Sequence, residues 1–187
     1  MSLIKYIWAL RAIIYKLRFK SIGNFSYIGK PTFLLGTKKI NIGDKVRIYP
    51  GARMEVHGDD GKITIQNNVS IGQNFHITSK DMNLVIGKDT TISGNVFITN
   101  IDHDYMEIGK HIMEQKYIIK ETIIGENCFI GYGVGIQAGT VLGKQCIVGA
   151  NAVVRGEFPD YCVIAGVPAK ILKRYNPEAK EWEKYSY

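Results

Sequence analysis

His103 stands between Asp102 and Asp104 in the stretch FITNIDHDYMEIGK, residues 97–110. An imidazole titrates near neutrality, so it can take a proton from a hydroxyl as that oxygen attacks an acyl carbonyl. A neighbouring carboxylate can fix the tautomer and stabilise the imidazolium, which makes Asp102 and Asp104 the candidate orienting groups. Adjacent side chains of an extended strand point to opposite faces, so sequence alone obliges neither aspartate to reach the ring. The other histidines are His57, His76 and His111. Cys128, Cys146 and Cys162 are odd in number and show no C-x-x-C spacing. That speaks against a disulfide framework or a zinc knuckle and fits a reducing, cytoplasmic setting.

What must position His103 is a repeat. From Ile124 onward an aliphatic residue recurs every six positions, at Ile124, Ile130, Ile136, Leu142, Val148 and Val154. The same beat runs earlier through Ile42 and Ile48, through Ile65, Ile71 and Ile77, and through Ile86, Ile92 and Ile98. A period of six fits neither a helix nor an alternating strand, but it fits a short strand followed by a corner. Three such units close one triangular coil, and coils stacked at about 4.8 Å pair their backbones in parallel. Ile124 is then expected over Leu142, Ile130 over Val148 and Ile136 over Val154, with Cys128 and Cys146 stacked inside. Each unit buries its face only against its neighbours, so the solenoid, expected over residues 21–171, is one cooperative domain. Between Ile98 and Ile124 there are more residues than one coil needs. The surplus predicts a polar loop ejected at about residues 102–119, the kind of place where reactive groups are carried.

Bulk properties narrow the partners. The chain has 187 residues, 45% hydrophobic and 22% charged, enough for one buried core and unlike a disordered chain. A formal charge of +7 asks for an anionic partner, whether a phosphate-bearing ligand, an acidic membrane face or nucleic acid. No groove-reading or base-stacking motif accompanies the charge, so nucleic acid is not expected. Residues 1–20 interleave Lys5, Arg11, Lys16 and Arg18 with apolar side chains. No uninterrupted apolar run there approaches the roughly 18 residues of a spanning helix, and no small-residue cleavage site follows. Helical spacing groups Leu3, Ile7, Leu10, Ile14 and Leu17 on one face, with Trp8 and Tyr15 to the side. Two expectations stand for this helix: packing on its own body or a neighbouring subunit, or lying as a basic amphipathic helix on an anionic membrane. Residues 172–187 form a tail in which Pro177 is placed to open a short helix.

The units IGENCF, IGYGVG, IQAGTV, LGKQCI and VGANAV, residues 124–153, closely resemble the hexapeptide-repeat acyltransferases. With the helices expected at either end, the resemblance implies an all-β solenoid. It would be a left-handed parallel β-helix with an N-terminal amphipathic helix, one ejected loop and a short C-terminal helix. The segment VIGKDTTISGNVFITNIDH, residues 85–103, is similar to the galactoside, maltose and polysaccharide O-acetyltransferases of that superfamily. There a histidine just after a repeat strand is the general base, which implies that role for His103. The asparagine those sugar transferases use near the acceptor falls on Thr78, beside Ser79, whose hydroxyls are expected to bind the acceptor. Residues 148–174, VGANAVVRGEFPDYCVIAGVPAKILKR, are similar to the closing coils of the family. In those enzymes the pantetheine arm lies in a groove between subunits. The resemblance therefore implies that Gly131, Gly149 and Ala150 line the arm and that Arg155, Lys170 and Lys173 face the phosphates of coenzyme A.

The leading expectation is an acetyl-CoA-dependent O-acetyltransferase acting on a hydroxyl of a sugar or glycan precursor in surface-polysaccharide or lipopolysaccharide assembly. It is expected to be a cytoplasmic homotrimer without a metal, with residues 1–20 as the place of any peripheral membrane contact. Two alternatives come from other classes. The γ-type carbonic anhydrases share the fold but need three zinc-binding histidines from adjacent coils, and His103 and His111 stand farther apart than their close pair. The other alternative is a non-catalytic β-helix that binds or scaffolds.

Overall fold

A chain that turns a corner every six residues needs residues able to reverse the backbone cheaply at each corner. In the computed structural model, which describes residues 3–186, the corners fall in the left-handed region of backbone space. Asn68, Asn74, Asn95, Asn127 and Asn151 have φ between 55° and 58°, each three places after an inward aliphatic residue. Asparagine tolerates this conformation better than other residues with a Cβ. Glycine right after the aliphatic residue has a different cause. A Cβ on Gly131 would lie 2.6 Å from the backbone nitrogen of Ala150, so its absence lets neighbouring coils touch.

Three parallel sheets result. One runs from Ser21–Ile22 to Glu157–Phe158, a second from Tyr27–Ile28 to Cys162–Gly166, and a third from Phe33–Leu35 to Val153–Val154. Ile124 pairs with Leu142, Ile130 with Val148 and Ile136 with Val154, as the period requires. These residues are fully buried or nearly so, and burying each such side chain is worth about 1.5–3 kcal/mol. The three free cysteines also lie inside. The hydrogen bond with Cys128 and burial both push the Cys146 thiol up, and burial pushes Cys162 up to about 11, so both are held as unreactive thiols.

Where the beat breaks, the surplus residues form a two-stranded arm. Ile101–His103 pairs antiparallel with Tyr117–Ile119, so the arm begins one residue before the expected loop. Asn100 is its hinge post: buried, it accepts from the backbone N–H of Lys80 at 2.8 Å and donates to the Lys80 carbonyl at 3.0 Å. Gln115 plays the same part at the tip, donating to the carbonyls of Glu107 and Lys110 and accepting from the Glu107 N–H.

Both ends differ in detail from expectation. The helix Leu3–Tyr15 packs on the body through Trp8 and Ala12, while Leu3, Ile7, Leu10, Ile14 and Leu17 are exposed. Its cations turn inward: Arg11 donates to the Ile28 carbonyl at 3.0 Å, and the Lys5 ammonium stands 5.6 Å from the centre of the Tyr27 ring. The exposed face is therefore apolar, with two of the four cations spent on the body. None of the described helices is long and apolar enough to cross a membrane. The short C-terminal helix is not formed. Ala169–Asn176 and Glu181–Lys184 are antiparallel strands that extend the second sheet. Pro177 instead enters a turn capped by the Asn176 side chain, which accepts from the N–H groups of Glu178 and Ala179. Packing of Tyr175 between Tyr161 and Trp182 holds the strands, and it overrides the helix-opening tendency of proline.

The ladder arrangement makes a sharp stability contrast. Ile130→Ala should cost about 2–5 kcal/mol in chemical denaturation, whereas Phe129→Ala, one place along and facing outward, should cost under about 1 kcal/mol.

Candidate active site

Strand alternation decides which side chains can meet a ligand. On the third sheet, Met54, Val56 and Ile77 point inward, so Arg53, Glu55 and His57 on one coil and His76, Thr78 and Lys80 on the next point out. The register stacks Arg53 on His76 and Phe97, and Glu55 on Thr78 and Thr99. The arm carrying His103 stands beside this column. Together they enclose a cavity of about 670 Å³, lined among others by Glu55, His76, Thr78, Lys80, Asp102, His103 and Tyr117.

His103 enters from the end of Ile101–His103, its ring set edge-on to Tyr117 with centroids 4.9 Å apart. Among the described residues its buried Nδ1 has no hydrogen-bond partner. Among the described residues neither flanking aspartate makes a hydrogen bond to the imidazole. Asp102 accepts from the backbone N–H of His103 at 3.0 Å and pairs with Arg155 at 2.8 Å. Asp104 accepts from the Met106 N–H and caps a turn of the arm. The Lys80 ammonium stands 5.5 Å from the centre of the Tyr117 ring, on the aromatic group that supports His103.

The other expected site residues separate into groups. Thr78 lines the cavity with His103, but Ser79 is fully buried and donates to the Met82 carbonyl, because the next residue along a strand faces the opposite side. Gly131 and Gly149 lie at one corner of successive coils, outside the cavity lining, with Gly131 against Ala150 and Gly149 against Ala165, and their small size already serves coil stacking. Arg155 is half-exposed and engaged by Asp102. Lys170 and Lys173 are exposed on the strand that folds back over Cys162–Gly166. Of the residues expected to meet coenzyme A, Gly131, Gly149, Ala150, Lys170 and Lys173 are outside the cavity lining, while Arg155 reaches it through Asp102.

The sequence reading missed Glu55 and its neighbours. Glu55, 7% exposed, is bonded by the Arg53 guanidinium and lies 3.2 Å from His76 Nε2 and 3.4 Å from His57 Nε2. The Arg53 bond holds its carboxyl below the usual range, while burial holds His76 below its usual value. His76 Nε2 also lies 3.1 Å from the Thr78 hydroxyl, and its ring packs on Phe97. The available signal was the alternation in RMEVH and HITSK, which puts six polar residues on one face. Among the described residues no group of three histidine, cysteine or carboxylate side chains is arranged to hold a metal ion. His111 lies in the arm, where its Nδ1 accepts from the Met113 N–H.

Residues 121–155 match the family described as the hexapeptide repeat of succinyl-transferase. WbbJ of Escherichia coli K12, named for O-acetyl transfer in lipopolysaccharide biosynthesis, is 36% identical over 86% of this chain and 85% of its own length. The galactoside O-acetyltransferase of the same organism is 30% identical over 62% of this chain and 59% of its own. An N-acyltransferase from Bacillus cereus, AntD, solved as a mutant with dTDP and coenzyme A, superposes with a TM-score of 0.76. The match covers 89% of this chain and 90% of that one at 21% identity, a likeness of fold. That fold is the left-handed β-helix.

The Glu55 cluster carries a pH signature. His76 is held below the usual 6.5 and Glu55 below the usual 4.5, so in acid the unfolded chain binds protons that the native chain declines. Both groups therefore take stability away as pH falls, His76 first, from about pH 6.5 downward, and Glu55 below its own ordinary value. Thermal unfolding followed from pH 8 to pH 4 should show this decline, and His76→Asn should flatten its upper part; an unchanged slope in the variant would contradict the assignment.

Proposed function

Because the chain belongs to the hexapeptide-repeat acyltransferase family, we propose that it transfers an acetyl group from coenzyme A to a hydroxyl of a sugar or glycan precursor. The pathway we infer is assembly of a surface polysaccharide or lipopolysaccharide, supported by the likeness to WbbJ over most of both chains. The observation that carries the chemistry is His103: a cavity-lining imidazole with a buried nitrogen unspent on any described side chain.

In this reading His103 takes the proton of the acceptor hydroxyl as its oxygen attacks the thioester carbonyl. The C–S bond then breaks, and the sulfur of coenzyme A leaves with the proton returned by the imidazolium. Tyr117, edge-on to the ring, holds its plane, and the hydrogen bond from the His103 N–H to Asp102 holds the backbone beneath it. The Arg155 pair ties Asp102, and so the root of the arm, to the coil at Val153–Val154. Thr78 offers the acceptor a hydroxyl from the cavity floor.

That Gly131, Gly149, Ala150, Lys170 and Lys173 do not line the cavity of their own chain supports a homotrimer. A groove between copies would bring Gly131, Gly149, Ala150, Lys170 and Lys173 of one protomer toward the cavity of another, and coenzyme A would lie in it. The exposed apolar face of the N-terminal helix supports a peripheral contact with the membrane that carries lipid-linked acceptors.

His103→Ala should lower kcat by about 10²- to 10⁴-fold in a thiol-release assay with acetyl-CoA and a panel of sugar acceptors, leaving the KM for acetyl-CoA nearly unchanged. A variant that keeps more than half of the wild-type rate would remove His103 from the chemistry.

A further inference from the structure

The cavity that His103 lines also takes in Arg53, Glu55, His57 and His76, which the proposed transfer does not use. Its floor runs from Thr99, four residues before His103, down through Thr78 to Glu55, in register. Two coil steps separate Glu55 from Thr99, about 10 Å at the spacing of paired strands. The Glu55 cluster therefore lies two coils from Thr99 along one wall of the cavity that His103 also lines, which leaves room for a second ring beside the reacting one.

The hydrogen bonding of that cluster says what it can take. Glu55 is ionised, and its two oxygens face His76 Nε2 and His57 Nε2. An ionised carboxylate can only accept, so the proton of each facing imidazole is placed on Nε2. For His76, kept neutral by burial, that leaves Nδ1 as a lone-pair acceptor. His76 Nε2 donates toward Glu55 and also lies 3.1 Å from Thr78 Oγ1, so the threonine hydroxyl keeps its own hydrogen to donate. The local cations are already matched, Arg53 by Glu55 and Lys80 by Asp81 at 3.3 Å. The His76 acceptor beside a hydroxyl donor, with the Phe97 ring packed on His76, suits a polyol. An anion, which brings no hydrogens, finds fewer partners there.

We propose that His76 and His57, held by Glu55, form a second acceptor subsite that binds an uncharged sugar ring linked to the one being acetylated, with Thr78 at the border between the two rings. The preferred acceptor is thus a disaccharide or longer glycan. Glu55 acts as a positioning residue, fixing the tautomer of His76 and the orientation of both rings. The inference rests on the transfer reading for where the reacting hydroxyl sits.

The test compares a matched neutral mono- and disaccharide, and the same disaccharide with an acidic second ring, in the thiol-release assay with wild type and His76→Ala. His76 is partly exposed, so its removal leaves the core intact, and Glu55→Gln serves as the second variant. The wild type should prefer the neutral disaccharide over the monosaccharide by about tenfold or more in kcat/KM. His76→Ala should erase that preference through KM, the loss on the disaccharide exceeding any loss on the monosaccharide about tenfold, with the KM for acetyl-CoA unchanged. Equal use of both lengths, an equal loss on both, or a gain confined to the acidic disaccharide would overturn the subsite. If no acceptor releases thiol, the transfer reading falls by itself. Calorimetric binding of the neutral disaccharide to wild type and not to His76→Ala would then still uphold the subsite, and equal binding would overturn it.

Discussion

In-register parallel pairing between successive coils is the constraint on which the rest of the structure depends. Once Ile124 lies over Leu142 and Ile130 over Val148, every residue of every strand is committed to inside or outside. A slip of one residue would exchange the two sets, expelling the aliphatic ladder and burying a charged column. The free energy of the core therefore enforces the composition of the outer face. Arg53, Glu55, His76 and Thr78 stand together because Met54, Val56 and Ile77 cannot leave the interior.

Such a prism is rigid and repetitive, which suits positioning and gives little concavity of its own. The arm supplies the missing wall. Asn100 and Gln115 spend their amides on backbone groups of the coil below and of the arm itself. Asp102 and Arg155 add a tie across the arm's root. His103 is thereby carried on a braced hairpin, with Tyr117 from the opposite strand against its ring. The imidazole is oriented by an aromatic edge and by its backbone, and the carboxylate-bound imidazoles of this molecule are instead His57 and His76.

Much of this was legible in the residues. The period of six fixed the three-sided coil, its register and the buried cysteines, and its interruption located the arm to within a residue of its start. The corner asparagines were visible but unused, since the left-handed requirement becomes apparent only when a corner is built. The Ser79 expectation failed because the neighbour of an outward threonine must face inward. The C-terminal helix failed because tertiary packing of Tyr161, Tyr175 and Trp182 outweighs a local signal from Pro177. The Glu55 cluster escaped because its members are some twenty residues apart and meet only through the coil repeat, although the alternation in RMEVH and HITSK carried half of the information.

The claim on which the functional reading turns is that the reacting hydroxyl lies in the cavity between the arm and the third sheet. A crystal structure of the protein with coenzyme A and a glycan acceptor tests it most directly. The acceptor hydroxyl should lie about 2.6–3.2 Å from a ring nitrogen of His103, with the sulfur of coenzyme A beside it. Acceptor bound on another face, or coenzyme A sulfur far from this imidazole in every copy, would contradict it.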